Sequence, residues 1–102
     1  MFGLFGSRKN REIDDFALAL AREIAARCAP GETHEGERIS MRLAKAIDEV
    51  CKRAADFQRE HQLGTYGKAR LGTAFKHELI DKGYEAGLVD TVTHQLLLKI
   101  SA

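Results

Sequence analysis

Three basic residues, Lys68, Arg70 and Lys76, point more directly to a chemical role than any others in this sequence. They lie in the stretch 65–77, which contains no aspartate or glutamate. A helix is predicted to begin at about Tyr66, and the free backbone N–H groups of a helix's first turn favour a bound anion. The stretch is therefore a candidate phosphate site. Binding of a nucleic acid or another phosphate ligand through these residues is the alternative function that the sequence offers.

The glycines of this stretch do not form a phosphate-binding loop. Gly67, Gly72 and Thr73 have a spacing close to that of such a loop. The lysine that the loop needs before its threonine is missing, however, and no strand precedes the stretch. We therefore expect Gly72 to be a notch that lets a neighbouring helix pack closely.

The last predicted helix does not have the character of a DNA-recognition helix. It carries one positive charge, Lys99, and apolar residues cover more than half of its circumference. A helix that reads DNA has to present polar and basic side chains to the groove. A helix-turn-helix unit is therefore the weaker of the two nucleic-acid interpretations.

The histidines and nucleophiles do not indicate a metal centre or an active site. His77 and Asp81 share one helical face, and His34 lies between Glu32 and Glu35, but neither group has an identifiable further ligand. No serine, cysteine or threonine has a base at a recognisable spacing, and no carboxylate pair lies on an apolar face. We therefore expect a non-catalytic protein without a metal or cofactor.

Four amphipathic helices are predicted from apolar residues that recur at spacings of three and four. The second helix shows this stripe best: Ile39, Leu43, Ile47, Val50, Ala54 and Phe57, with His61 next in the series. Turn-forming residues separate the helices: Pro30, Gly31, Gly64 and Gly83. Gly64 is expected to take the left-handed position that ends the second helix. The predicted helices span residues 10–29, 37–62, 66–82 and 85–101, after an apolar and basic arm of residues 1–9. The sequence thus predicts a single all-α domain over residues 10–102, a four-helix up-down bundle with a markedly long second helix.

Apolar residues that fall outside the helical stripes form a candidate contact surface. Single exposed apolar residues are common in monomers. Several of them, together with an apolar arm and an overlong helix, indicate a surface that a second copy or another protein covers. Six residues are predicted to contact a partner: Phe2, Leu4, Phe5, Leu18, Met41 and Leu98. The sequence therefore predicts a protein–protein interaction module that self-associates as a homodimer.

Two other locations for the arm stay open. The arm can fold over the first helix and bury Leu18 within the monomer. It can also insert its apolar residues into a membrane interface, with Arg8, Lys9 and Arg11 on lipid phosphates, although it offers little apolar area.

Composition limits the class of protein. A chain of 102 residues forms one domain, and a net charge of +1 gives no overall attraction to nucleic acid or membranes. No stretch approaches the roughly 20 apolar residues of a membrane span, and basic residues follow the apolar start, unlike in a signal peptide. Cys28 and Cys51 lie at different levels of the predicted helices, too far apart for a disulfide. We expect a cytoplasmic protein with free thiols.

Overall fold

The residues that the structure describes form four α-helices, as the sequence predicts. The computed structural model describes the backbone of residues 2–101 and the side chains of residues 8–101. The helices are α1 (Phe2–Arg27), α2 (Met41–His61), α3 (Thr65–Asp81) and α4 (Ala86–Ser101). A 3-10 turn (Pro30–Glu32) and two short strands, β1 (His34–Glu35) and β2 (Arg38–Ile39), connect α1 to α2. Within the described residues, no helix is long and apolar enough to cross a membrane.

The first helix begins at Phe2 rather than near Asn10. Asn10 can cap a helix only where the preceding chain leaves the helical path, and the one proline of the chain lies much later, at position 30. The helix therefore continues into the segment predicted as an arm. With 26 residues, α1 is longer than the 21-residue α2, which was expected to be the longest helix.

The second helix begins at Met41, later than predicted, because a short hairpin precedes it. β1 and β2 pair antiparallel about Gly36, whose φ of +69° is a left-handed conformation that favours glycine. The hydroxyl of Ser40 then caps α2 by accepting a hydrogen bond from the N–H of Leu43 at 3.1 Å. Ile39, predicted as the first residue of the helical stripe, lies in β2 instead.

The connection between α2 and α3 also differs from the prediction. Gln62, not Gly64, takes the left-handed position after α2, with a φ of +50°. Gly64 is extended and immediately precedes α3. Because the helix ends at His61, Leu63 turns into the end of the core, where its side chain is buried. Burial of Leu63 thus compensates for the strain of a left-handed non-glycine residue.

The order of the helices around the bundle is α1, α3, α4, α2. α1 packs against α2 and α3, and α4 packs against the same two helices. α1 and α3 run in the same direction, since Arg70 near the start of α3 pairs with Asp14, and Tyr84 just beyond α3 bonds to Cys28 just beyond α1. The short loop between α2 and α3 therefore joins diagonally placed helices. Consecutive helices alternate in direction, but not all of them are neighbours.

Small residues let the helices approach closely in the core. Four alanines on α1 and α2 have no solvent exposure: Ala17, Ala21, Ala46 and Ala54. The larger side chains that fill the centre come from all four helices: Ile13, Leu20, Ile24, Leu43, Val50, Leu71, Phe75, Leu79, Val89, Leu96 and Ile100. The core is thus closed by one apolar stripe from each helix.

Gly72 is the predicted packing notch, between α3 and α4. A methyl group at Gly72 would lie 2.9 Å from Cδ2 and 3.2 Å from Cγ of Leu97. Both distances are shorter than ordinary carbon–carbon contacts, so α4 can lie this close to α3 only because Gly72 has no side chain.

We predict that Gly72→Ala lowers the free energy of unfolding by about 1 kcal/mol. Alanine gains roughly 1 kcal/mol of helix propensity over glycine, but overpacking of a close contact costs about 1–3 kcal/mol. Urea denaturation measures the difference. Gly72→Ala made in a Leu97→Ala background is the control: there the substitution should be neutral or stabilising. An equal loss in both backgrounds would refute the steric explanation.

Tyr84 attaches the α3–α4 turn to the end of α1. Gly83, with a φ of +97°, reverses the chain, and the N–H of Tyr84 donates to the carbonyl of Leu79 at 3.2 Å. The buried hydroxyl of Tyr84 donates to the carbonyl oxygen of Cys28. Burial raises the pKa of Tyr84, and the nearby Cys28 and Glu32 raise it further.

We predict that Tyr84→Phe lowers the free energy of unfolding by about 1 kcal/mol at pH 7, the usual contribution of one hydrogen bond. The folded state holds Tyr84 above its ordinary pKa of 10.0. The stabilisation is therefore complete below pH 10 and is lost as the pH rises through the folded pKa. Urea denaturation from pH 7 to 11 should show a smaller alkaline loss in Tyr84→Phe than in the wild type. Tyr66→Phe, at an exposed tyrosine, is the matched control, and parallel pH profiles of Tyr84→Phe and wild type would contradict the assignment.

Candidate interaction surface

The structure separates the predicted contact residues. Met41 on α2 and Leu98 on α4 are 69% and 59% exposed, whereas Leu18 on α1 is half-buried. Leu18 lies one turn after Asp14, on the side of α1 that faces α3. It therefore does not share a surface with Leu98, since α1 and α4 lie diagonally across the bundle. The three contact residues predicted in the arm (Phe2, Leu4 and Phe5) lie outside the described side chains.

Met41 and Leu98 lie beside one groove, between α2 and α4. We call it the α2–α4 groove; its volume is about 370 Å³, and its lining residues are Ile39, Ala44, Ile47, Asp48, Cys51, Gln95 and Lys99. Ile47 and Cys51 are only 7% and 6% exposed and form an apolar floor. Side chains three apart on a helix are neighbours, so Met41 lies beside Ala44, and Leu98 lies beside Gln95. The groove thus has an apolar floor and an exposed apolar side chain on each rim.

Ile39 extends this apolar surface at the start of α2. Its side chain is 38% exposed and lines the α2–α4 groove. The sequence placed Ile39 in the core stripe of a helix, so it was missed as a surface residue. Only the hairpin, which removes it from the helix, brings it to the groove.

The Cys51 thiol in the floor of the groove is held in its neutral form. Burial raises its pKa, and the negative charge of Asp48 adds to this effect, while Lys99 opposes it. The thiolate is the nucleophilic form of cysteine, so this environment does not activate Cys51. Both Cys51 and Cys28 are free and buried, which confirms the prediction of free thiols.

A second groove, between α1 and α3, is polar. Its volume is about 530 Å³, and it is lined by Asp14, Tyr66, Ala69, Arg70, Thr73, Ala74, His77 and Glu78. The guanidinium of Arg70 donates to both carboxylate oxygens of Asp14, at 3.0 and 2.8 Å, and to the hydroxyl of Tyr66 at 3.1 Å. These hydrogen bonds, that to Asp14 above all, raise the pKa of Arg70. The groove therefore contains a satisfied ion pair.

The three basic residues of the candidate phosphate site do not converge. Arg70 pairs with Asp14 on α1, while Lys76 pairs with Asp90 on α4 at 3.1 Å. Lys68 has no ion-pair partner among the described residues, and two residues of helix place it about 200° around α3 from Arg70. Residues 65–77 contain no acidic side chain, but α1 and α4 supply the carboxylates that pair with Arg70 and Lys76. The structure thus distributes these charges over different faces of α3.

An aromatic cluster that the sequence did not reveal joins α1 and α2. The rings of Phe16 and Phe57 are stacked with their centroids 4.0 Å apart, and the His61 ring lies 4.1 Å from that of Phe57. Nδ1 of His61 is 3.8 Å from a carboxylate oxygen of Glu12. Phe57 and His61 belong to the predicted stripe of the second helix, but their partners on α1 are far away in sequence. The cluster is a packing contact at the edge of the core.

No group of three potential metal ligands occurs among the described residues. His34, which the sequence places between two glutamates, has its Nδ1 at 2.9 Å from the hydroxyl of Thr33. His77 lines the polar groove between α1 and α3.

We predict that the protein does not bind random duplex DNA or single-stranded RNA at micromolar concentration, even at low salt. Arg70 and Lys76 already have acidic partners, so few phosphates can be neutralised. Fluorescence anisotropy of a labelled oligonucleotide measures the binding. Micromolar binding that weakens steeply with salt and disappears in Lys68→Glu/Arg70→Glu would contradict this prediction and support the phosphate-binding alternative.

No protein-family model, curated protein or solved structure matches the chain.

Proposed function

We propose that the protein is a non-catalytic interaction module that associates with a second copy of itself. The observation that carries this proposal is the α2–α4 groove, with an apolar floor and the exposed side chains of Met41 and Leu98 on its rims. Water contact with this apolar surface is unfavourable, and a protein partner removes it.

The size of the apolar surface indicates a weak complex. Full burial of a Leu or Met side chain contributes about 1.5–3 kcal/mol, and these two are already partly covered. Four such side chains in a homodimer therefore supply roughly 4–8 kcal/mol. Association costs about 4–15 kcal/mol in lost freedom, so burial of these residues alone leaves at most about 4 kcal/mol, which corresponds to millimolar affinity or weaker. We therefore expect a weak dimer whose population rises with protein concentration.

We propose no catalytic step, because burial and the negative charge of Asp48 hold the Cys51 thiol in the floor of the groove in its neutral form. A reducing compartment such as the cytoplasm agrees with two free, buried cysteines. The residues that line the groove carry one acid and one base, so they have no net charge that would attract nucleic acid. Another protein in place of the second copy would use the same groove.

We predict that Leu98→Asp abolishes self-association while leaving helicity unchanged. A carboxylate at this exposed position is harmless in the monomer but would have to lose its hydration in an apolar interface. Sedimentation velocity gives the oligomeric state, and circular dichroism the helicity. Tyr66→Asp is the matched control, because Tyr66 is similarly exposed, at 64%, but lies in the polar groove. An unchanged mass of Leu98→Asp at all concentrations would remove the proposal.

A further inference from the structure

We propose that two copies dock through their α2–α4 grooves about a two-fold axis parallel to the helices, so that α2 of each copy faces α4 of the other. In this arrangement Asp48 of one copy pairs with Lys99 of the second copy, twice per dimer. This inference rests on the proposed self-association and names its surface and symmetry.

The directions of the helices permit this arrangement. α1 and α2 are antiparallel, since Arg27 pairs with Glu49 and Phe16 stacks on Phe57. α3 and α4 are antiparallel as well, because Lys76 pairs with Asp90 while Gly72 contacts Leu97 further along α4. α1 and α3 run in the same direction, so α2 and α4 do too. The two walls of the groove are therefore parallel helices.

The two charges of the groove lie on opposite walls. Asp48 belongs to α2 and Lys99 to α4, and both act on the Cys51 thiol between them. They therefore lie at a similar level along the groove. Asp48 already forms an ion pair with Lys52 of its own helix, in which one carboxylate oxygen lies 3.2 Å from the ammonium nitrogen. Among the residues whose side chains the structure describes, neither its second oxygen nor the ammonium group of Lys99 has an ion-pair partner.

Symmetry then selects one arrangement. A homodimer with two-fold symmetry needs a surface that is complementary to itself. A two-fold axis parallel to the helices places α2 of each copy opposite α4 of the other. It leaves every residue at its own height along the helices, so that Asp48 faces Lys99 of the second copy. A two-fold axis perpendicular to the helices, at the height of these two residues, places α2 opposite α2 and α4 opposite α4 of the second copy. Asp48 then faces Asp48, and Lys99 faces Lys99. Like charges in contact are repulsive, and they disfavour the second arrangement.

The same axis also covers the apolar rim. Leu98 is exposed, lies one turn from the groove residue Gln95 and is nearly level with Lys99, so its side chain comes over α2 of the second copy, near Asp48. Met41, near the start of α2, comes over the first half of α4. The charged pairs and the exposed apolar side chains thus select the same orientation.

Charge reversal tests the arrangement. Asp48→Lys and Lys99→Asp should each weaken self-association at least tenfold, because each places like charges opposite one another. An equimolar mixture of the two variants should restore association as a heterodimer, since every facing pair is again opposite in charge. Sedimentation velocity on the separate and mixed variants measures this, with circular dichroism to confirm the fold. Glu60→Lys and Lys68→Asp, which carry the same charge changes away from the groove, are the matched controls and should associate like the wild type.

The possible failures are distinguishable. A monomeric wild type at millimolar concentration would overturn the proposed self-association itself. If the wild type associates and Leu98→Asp does not, but both charge variants associate normally, self-association stands and this arrangement is overturned. Weakened variants that do not recover on mixing would also overturn it.

Discussion

The close approach of α3 to both of its neighbours is the constraint on which the rest of the bundle depends. α3 forms the most extensive contacts of the bundle, with α1 and then with α4. The contact with α4 depends on Gly72, where a methyl group would lie 2.9 Å from Leu97. On the α1 side a methyl group at Gly67 would lie 3.6 Å from Ile13, an ordinary contact distance, so that contact depends on apolar packing instead. α2 meets α4 on the opposite side of the bundle, along a seam with an open groove.

The groove between α1 and α3 and the α2–α4 groove differ in whether their side chains already have partners within the chain. In the groove between α1 and α3, Arg70 satisfies Asp14 and Tyr66 within the chain. In the α2–α4 groove, the floor is apolar and the rim residues Met41 and Leu98 are exposed. Removing apolar surface from water is favourable, whereas breaking a two-point ion pair to bind a ligand is not. This contrast favours a protein partner on the α2–α4 side.

The sequence predicts what depends on local pattern, and it fails where distant residues decide. Helix periodicity, the turn at Gly83 and the notch at Gly72 follow from neighbouring residues, and the structure confirms them. The hairpin was missed because strands of two residues show no alternation. The acidic partners of Arg70 and Lys76 and the position of α2 beside α4 depend on tertiary packing. The sequence predicted that Met41 and Leu98 are exposed apolar residues, but it did not predict the groove between α2 and α4.

A dilution series of ¹⁵N–¹H correlation spectra of the wild-type protein is the most direct test of self-association through the α2–α4 groove, because it locates a self-contact residue by residue. We expect amide signals from Met41–Asp48 on α2 and from Thr91–Lys99 on α4 to move with concentration from micromolar to millimolar. Signals of the exposed face of α3 should stay fixed. Spectra that do not change with concentration, or changes confined to α1 and α3, would contradict self-association through this groove.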